Sequence, residues 1–141
     1  MDPNFLLVNQ DLARVYSAKG MHKEAIAQLQ KSNDLLGGNP GGIATNEAWL
    51  GYAYGLAGRR QDALKIVDTL KNRSRRMYVS PLSIALVYAG LGDKDKAFQW
   101  LDKAYNEHSG DMNLLKVNPT WDPLRSDPRF QDLLRRMNFP P

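Results

Sequence analysis

The chain has 141 residues, 43% of them hydrophobic, no cysteine and a formal net charge of +4. That length and apolar content suit one domain with a continuous core. The lack of cysteine removes a disulfide framework, a thiolate metal site and a thiol nucleophile, and no apolar run approaches the roughly 20 residues that span a bilayer. The first residues also lack the basic region and apolar stretch of a signal peptide, so a soluble, cytoplasmic protein is expected.

Along the chain, helices are expected near 4–18, 22–35, 43–57, 60–73, 80–90 and 94–107, because one frame recurs three times. Leu12, Ala13, Tyr16, Gly20, Ala25 and Leu29 form its first copy. Leu50, Gly51, Tyr54, Gly58, Ala63 and Val67 form the second, and Ile84, Ala85, Tyr88, Gly92, Ala97 and Leu101 the third. The copies are offset by 38 and then 34 residues. Within each, the aliphatic and the Tyr lie four apart on one helical face, and the small residue between them lets a second helix approach. The Gly ends the first helix in a left-handed cap, and the second helix returns antiparallel with its Ala and aliphatic on the inner face. One such hairpin cannot bury its own faces, so three stacked copies plus a cap make a sensible minimum.

The first connection is longer by four residues and passes through Gly37–Gly42, which is expected to splay the first hairpin from the second. It lacks the Lys and Ser or Thr that would follow in a phosphate-binding loop. All of the excess positive charge falls after residue 70, much of it in Lys71, Arg73, Arg75 and Arg76. These side chains suit a solvated helix C-terminus, and without interleaved aromatics beyond Tyr78 they do not form a nucleic-acid surface. Ser80 and Pro81 read as the cap and first residue of the fifth helix, and Asp93 as the cap of the sixth.

After Gly110 three X-Pro steps break the periodicity into short pieces. Asp127 and Pro128 then open a last amphipathic helix, near 127–138, with Phe130, Leu133, Leu134 and Met137 on one face. Its expected partner is the open side of the third hairpin. His22 and His108 fall at a turn and a helix end, read as exposed, with no ligand spacing beside them. Asp93 and Asp95 lack the remaining positions of a calcium loop. No nucleophile sits in an elbow motif, so no catalytic, cofactor or metal residue is nominated and a non-enzyme is expected.

The frame, best seen in Leu50, Gly51, Tyr54 and Ala63, resembles the tetratricopeptide repeat, whose 34-residue period the second offset reproduces. The resemblance covers about residues 4–110, without the Pro that usually closes each repeat. It implies an all-α, right-handed superhelical array of three antiparallel hairpins (about 6–39, 44–77 and 78–111) and a tail over 111–141 with a capping helix. The tail from Leu115 to Pro141, with Trp121-Asp122-Pro123-Leu124-Arg125-Ser126-Asp127-Pro128-Arg129-Phe130, resembles the end of such regions attached to bacterial signalling proteins, among them kinases, nucleotide cyclases and winged-helix regulators. Asp2-Pro3 resembles the close of a preceding repeat, so the sequence reads as a C-terminal piece of a longer chain.

The family's groove positions, carried onto this frame, are Leu7, Gln10, Asp11 and Arg14, then Trp49 and Tyr52, then Val79, Leu82, Ser83 and Leu86. That wall is mostly apolar, and only Arg14 has the charge of a carboxylate grip. The resemblance therefore implies a protein-binding scaffold taking an apolar or amphipathic peptide on its concave face. The alternative is a self-association or regulatory element of a larger signalling protein. A protein or peptide partner, no nucleic acid, no membrane and a monomer, with a homodimer as the alternative, complete the expectations. Trp49 and Tyr52 have a second reading, as packing between neighbouring hairpins.

Overall fold

The computed structural model describes residues 3–36, 40–107, 115 and 119–137, with the side chains of 3–10, 35–36, 40–45 and 119 outside that description. Its elements are α1 (Pro3–Ala18), α2 (His22–Leu36), α3 (Pro40–Leu56), α4 (Arg60–Arg73), α5 (Pro81–Leu91) and α6 (Lys94–Asn106). A 3-10 turn (Pro119–Trp121), the one-turn helix α7 (Asp122–Arg125) and α8 (Pro128–Arg136) follow. Among the described residues there is no strand. Consecutive helices pack as pairs, α1 on α2, α3 on α4 and α5 on α6.

Each pair closes on the same turn, and its chemistry is local. Gly20, Gly58 and Gly92 take φ of 76°, 78° and 76°, left-handed values that an L side chain rarely adopts. The following N–H then reaches back five residues: Met21 to the Tyr16 carbonyl at 2.8 Å, Arg59 to Tyr54 at 2.9 Å and Asp93 to Tyr88 at 3.1 Å. This is the Schellman closure, which satisfies carbonyls that a helix end leaves orphaned. Ser80 Oγ accepts from the Leu82 N–H at 3.2 Å ahead of Pro81, and Asp93 accepts from the Lys96 N–H at 3.2 Å.

One boundary differs from expectation by more than two residues. Helix α3 begins at Pro40, three residues early, and takes Gly41 and Gly42 into its first turn. Proline costs nothing at that position, because its missing N–H would have no intrahelical acceptor. The remainder of the long connection, Gly37–Asn39, lies outside the described residues.

The pairs do not stack alike. Helix α3 lies along α5 over much of its length, whereas α1 meets α3 at few positions and α2 instead takes up the contact with α3. Two glycines draw α3 and α5 together: a Cβ at Gly55 would sit 2.6 Å from the Gly90 carbonyl carbon, and one at Gly90 would sit 2.6 Å from the Tyr52 carbonyl oxygen. In the repeat frame the corresponding residues between α1 and α3 are Ser17 and Leu56. Neither position is a glycine there. On the other side, buried Asn46 joins α3 to α2, donating from Nδ2 to the Leu29 carbonyl at 2.9 Å and to Asn33 Oδ1 at 3.1 Å.

Arg73 departs from the reading of a solvated basic run. Its guanidinium makes a bidentate pair with the buried carboxylate of Glu47, at 2.8 and 2.7 Å, tying the end of α4 to α3. That hydrogen-bonded pairing with Glu47 raises the Arg73 pKa further above its ordinary value. Lys71, from the same run, lies over the Trp100 ring, while Arg75 and Arg76 are exposed. Truncating Glu47 leaves the cation a third exposed and able to hydrate, so Glu47→Ala is expected to cost about 1–3 kcal/mol, below the cost of orphaning a fully buried charge. Equilibrium denaturation checks this, and an unchanged midpoint would contradict it.

The tail folds back on the third pair. Helix α8 buries Phe130, Leu133 and Leu134 and lies on α6, with Arg129 on Asp95 and Arg136 on Asp102, each at 2.7 Å. The Tyr105 hydroxyl donates to the Arg136 carbonyl at 3.0 Å. Asp127 caps α8, accepting from the Arg129 N–H at 2.9 Å. Hydrogen bonds from the Arg129 side chain and backbone hold the Asp127 carboxyl below its ordinary pKa. A depressed folded-state pKa means the cap contributes fully above the ordinary carboxylate range, near pH ~4, and is lost as pH falls through the lower folded value. Amide exchange at 128–136 is expected to accelerate below pH ~4 beyond its intrinsic trend. Asp127→Asn, which still caps but cannot titrate, should not show that step.

Candidate functional site

The candidate site is an open cleft of about 420 Å³ where α1 and α3 fail to close. It is lined by Arg14, Val15, Ser17 and Ala18 of α1, Tyr52 and Leu56 of α3, and Thr120 of the 3-10 turn. Ser17 and Leu56, which line it, stand where glycines bring α3 and α5 together in the next pair.

Tyr52 organises its floor. Its backbone packs on Gly90 of α5, and its ring meets Trp49 edge-on, with centroids 5.8 Å apart and planes at 85°. Both aromatics are half-buried against the core. Burial raises the Tyr52 phenol pKa above its ordinary value, and the carboxylate of Asp122 adds to the rise. At the rim Arg14 pairs with Asp11 at 2.9 Å, an exposed contact within one helix.

Of the ten nominated groove residues, Arg14 and Tyr52 line the cleft, Asp11 flanks it through Arg14, and Trp49 supports Tyr52. Val79, Leu82 and Leu86 belong to the buried core, and Ser83 is half-buried in the first turn of α5. Leu7 and Gln10 lie in α1, with their side chains outside the description. The sequence reading missed Val15, Ser17, Ala18, Leu56 and Thr120. A signal for two of them was present, since Ser17 and Leu56 break the small-residue pattern that Gly55 and Gly90 set in the next pair.

Nothing in the cleft converges for chemistry. Among the described residues no cluster of His, Asp or Glu could hold a metal ion, and no helix is long and apolar enough to cross a membrane. His22 is half-buried, contrary to its reading as exposed, and its Nδ1 is buried without a hydrogen-bond partner. His108 lies outside the described residues.

Repeated helix pairs closed by the same glycine turn define the class of helical-hairpin repeat proteins. Residues 82–106, within the third pair, match the family model of the tetratricopeptide repeat. No curated protein and no solved structure matches the chain significantly. Tetratricopeptide repeats generally mediate protein–protein interaction.

Proposed function

We propose that the chain is a protein-interaction scaffold, a right-handed superhelical array that docks an apolar or amphipathic peptide segment on its concave side, in the cleft between α1 and α3. The observation that carries this reading is the open cleft itself, walled by Val15, Ala18 and Leu56 and floored by an aromatic whose orientation Trp49 and Gly90 fix. A rigid aromatic beside aliphatic surface anchors a partner at small entropic cost, and the one rim cation, already engaged by Asp11, gives no grip for a carboxylate. The resemblance of the tail to the ends of bacterial signalling proteins supports a place for this scaffold as the recognition end of a kinase, cyclase or transcription regulator.

The test is affinity capture of the partner from the source cells, followed by calorimetric titration of variants. Tyr52→Ala is expected to weaken binding by about 1–3 kcal/mol, while Arg75→Ala and Arg76→Ala change it little. Loss of binding with the arginine variants, with a steep salt dependence, would replace the cleft by an anionic partner on the basic surface. Unfolding of Tyr52→Ala would instead make the residue core packing.

A further inference from the structure

The cations after residue 70 fall into two groups. Arg73, Arg125, Arg129, Arg135 and Arg136 each pair with a carboxylate. Lys71, Arg75, Arg76 and Lys103 are exposed, and among the described residues none of them does. These four gather where α4 ends, the connection to α5 begins and α6 comes to its close. Two of them share a ring, since the Lys71 and Lys103 ammonium groups lie 5.6 and 4.9 Å from the centroid of Trp100.

Beside that ring is a groove of about 180 Å³, whose lining includes Met77, Tyr78, Val79, Pro81, Trp100 and Lys103. Small-molecule pockets run from about 300 to 1,000 Å³, so this one admits a side chain and not a cofactor. The competing use of the four cations is to neutralise helix dipoles. Two helix C-termini carry about half a negative charge each, and exposed Glu107 at the rim adds one more. Against four cations this leaves about two positive charges unanswered.

We propose that this groove is a second docking site, which takes an acidic segment of a second partner protein. One apolar side chain of that segment enters against Met77 and Trp100, and its carboxylates reach Lys71, Arg75, Arg76 and Lys103. The surplus charge sets the sign of the occupant, and the apolar lining between the cations sets the insertion. A nucleic acid fits less well, because stacking a base needs a bare ring face and the Trp100 ring is engaged by two ammonium groups. Tyr78, 68% exposed, is the one other ring in the groove. The walls come from the α4–α5 connection, α5 and the end of α6, and no lining residue is shared with the cleft between α1 and α3.

The test is fluorescence anisotropy of the full chain with a labelled glutamate-rich peptide that carries one central leucine, at low salt. Binding is expected, and it should weaken as salt screens the charges. Lys71→Glu, Arg75→Glu and Lys103→Glu should each weaken it about ten-fold, since a reversal removes an attraction and adds a repulsion. Lys19→Glu and Lys23→Glu, exposed on the first pair, make the same change in net charge and should have little effect. Replacing the leucine of the peptide by serine should cost at least about ten-fold, because the buried side chain is lost. Far-UV circular dichroism confirms that each variant remains folded. No binding at low salt would overturn the proposal, as would equal losses at Lys19, Lys23 and the groove, which make net charge the whole effect. Indifference to the leucine would remove the groove from the interaction. Tighter binding of oligothymidylate than of the peptide would make the patch a nucleic-acid surface instead.

Discussion

Phe130→Ala is expected to cost roughly 3–5 kcal/mol, the range for truncating a fully buried phenylalanine, and to show first as lost amide protection at 128–136. The reason is length. A helix of nine residues has no stability of its own in water, since its few hydrogen bonds do not offset the cost of nucleation. What holds α8 is its buried face of Phe130, Leu133 and Leu134 and the exposed pairs of Arg129 and Arg136 with α6, and exposed pairs contribute little. Phe130 is the largest of the three and lies beneath the Arg125 guanidinium, 5.4 Å from the ring centroid. Its removal therefore loosens both α7 and α8. Hydrogen exchange read by mass spectrometry checks this, with α3 and α5 expected to keep their protection. Retained protection throughout α8 in the variant would contradict the argument.

Gly90→Ala is expected to destabilise the protein by about 2–3 kcal/mol, although alanine by itself favours a helix over glycine by about 1 kcal/mol. The new methyl would lie 2.6 Å from the Tyr52 carbonyl oxygen and 2.9 Å from the Tyr52 Cα. Both are backbone atoms, so no side chain can turn aside and α5 must move away from α3. Gly51→Ala is the control, because there the atoms nearest the Cβ are methyls of Val87 and Ile66, at 2.7 and 2.9 Å. Ala13 and Ala85 already occupy that position in the other pairs, so its cost should be the smaller. Thermal or urea denaturation ranks the two, and the reverse order would refute the backbone-contact account. Because Tyr52 floors the cleft, Gly90→Ala should also weaken whatever binds there, a coupling that Gly51→Ala should largely spare.

The helices, their turns and most caps were legible in the sequence because each is governed within a few residues. The left-handed glycine at 20, 58 and 92, the Ser80-Pro81 and Asp127-Pro128 starts and the four-residue spacing of aliphatic and tyrosine need no tertiary information. Pro40 is the exception at this level: the glycines beside it suggested a loop, and a first helical turn tolerates them.

The candidate site was only half legible, since whether a residue on a helical face meets solvent depends on how closely the next helix comes. Leu82 and Leu86 occupy the same wall as Tyr52 in the repeat frame, yet both are buried, whereas Val15 and Leu56 are open. Arg73 reads in the sequence as one of four surface cations, and only the fold sets Glu47, 26 residues earlier, opposite it. Periodicity by itself determined the all-helical repeat and where each helix turns, because those follow from local backbone preferences and apolar spacing. The width of each gap between helices was decided only in the tertiary structure, where Gly55 and Gly90 permit backbone contact between α3 and α5, and a cleft lined by Ser17 and Leu56 is left between α1 and α3.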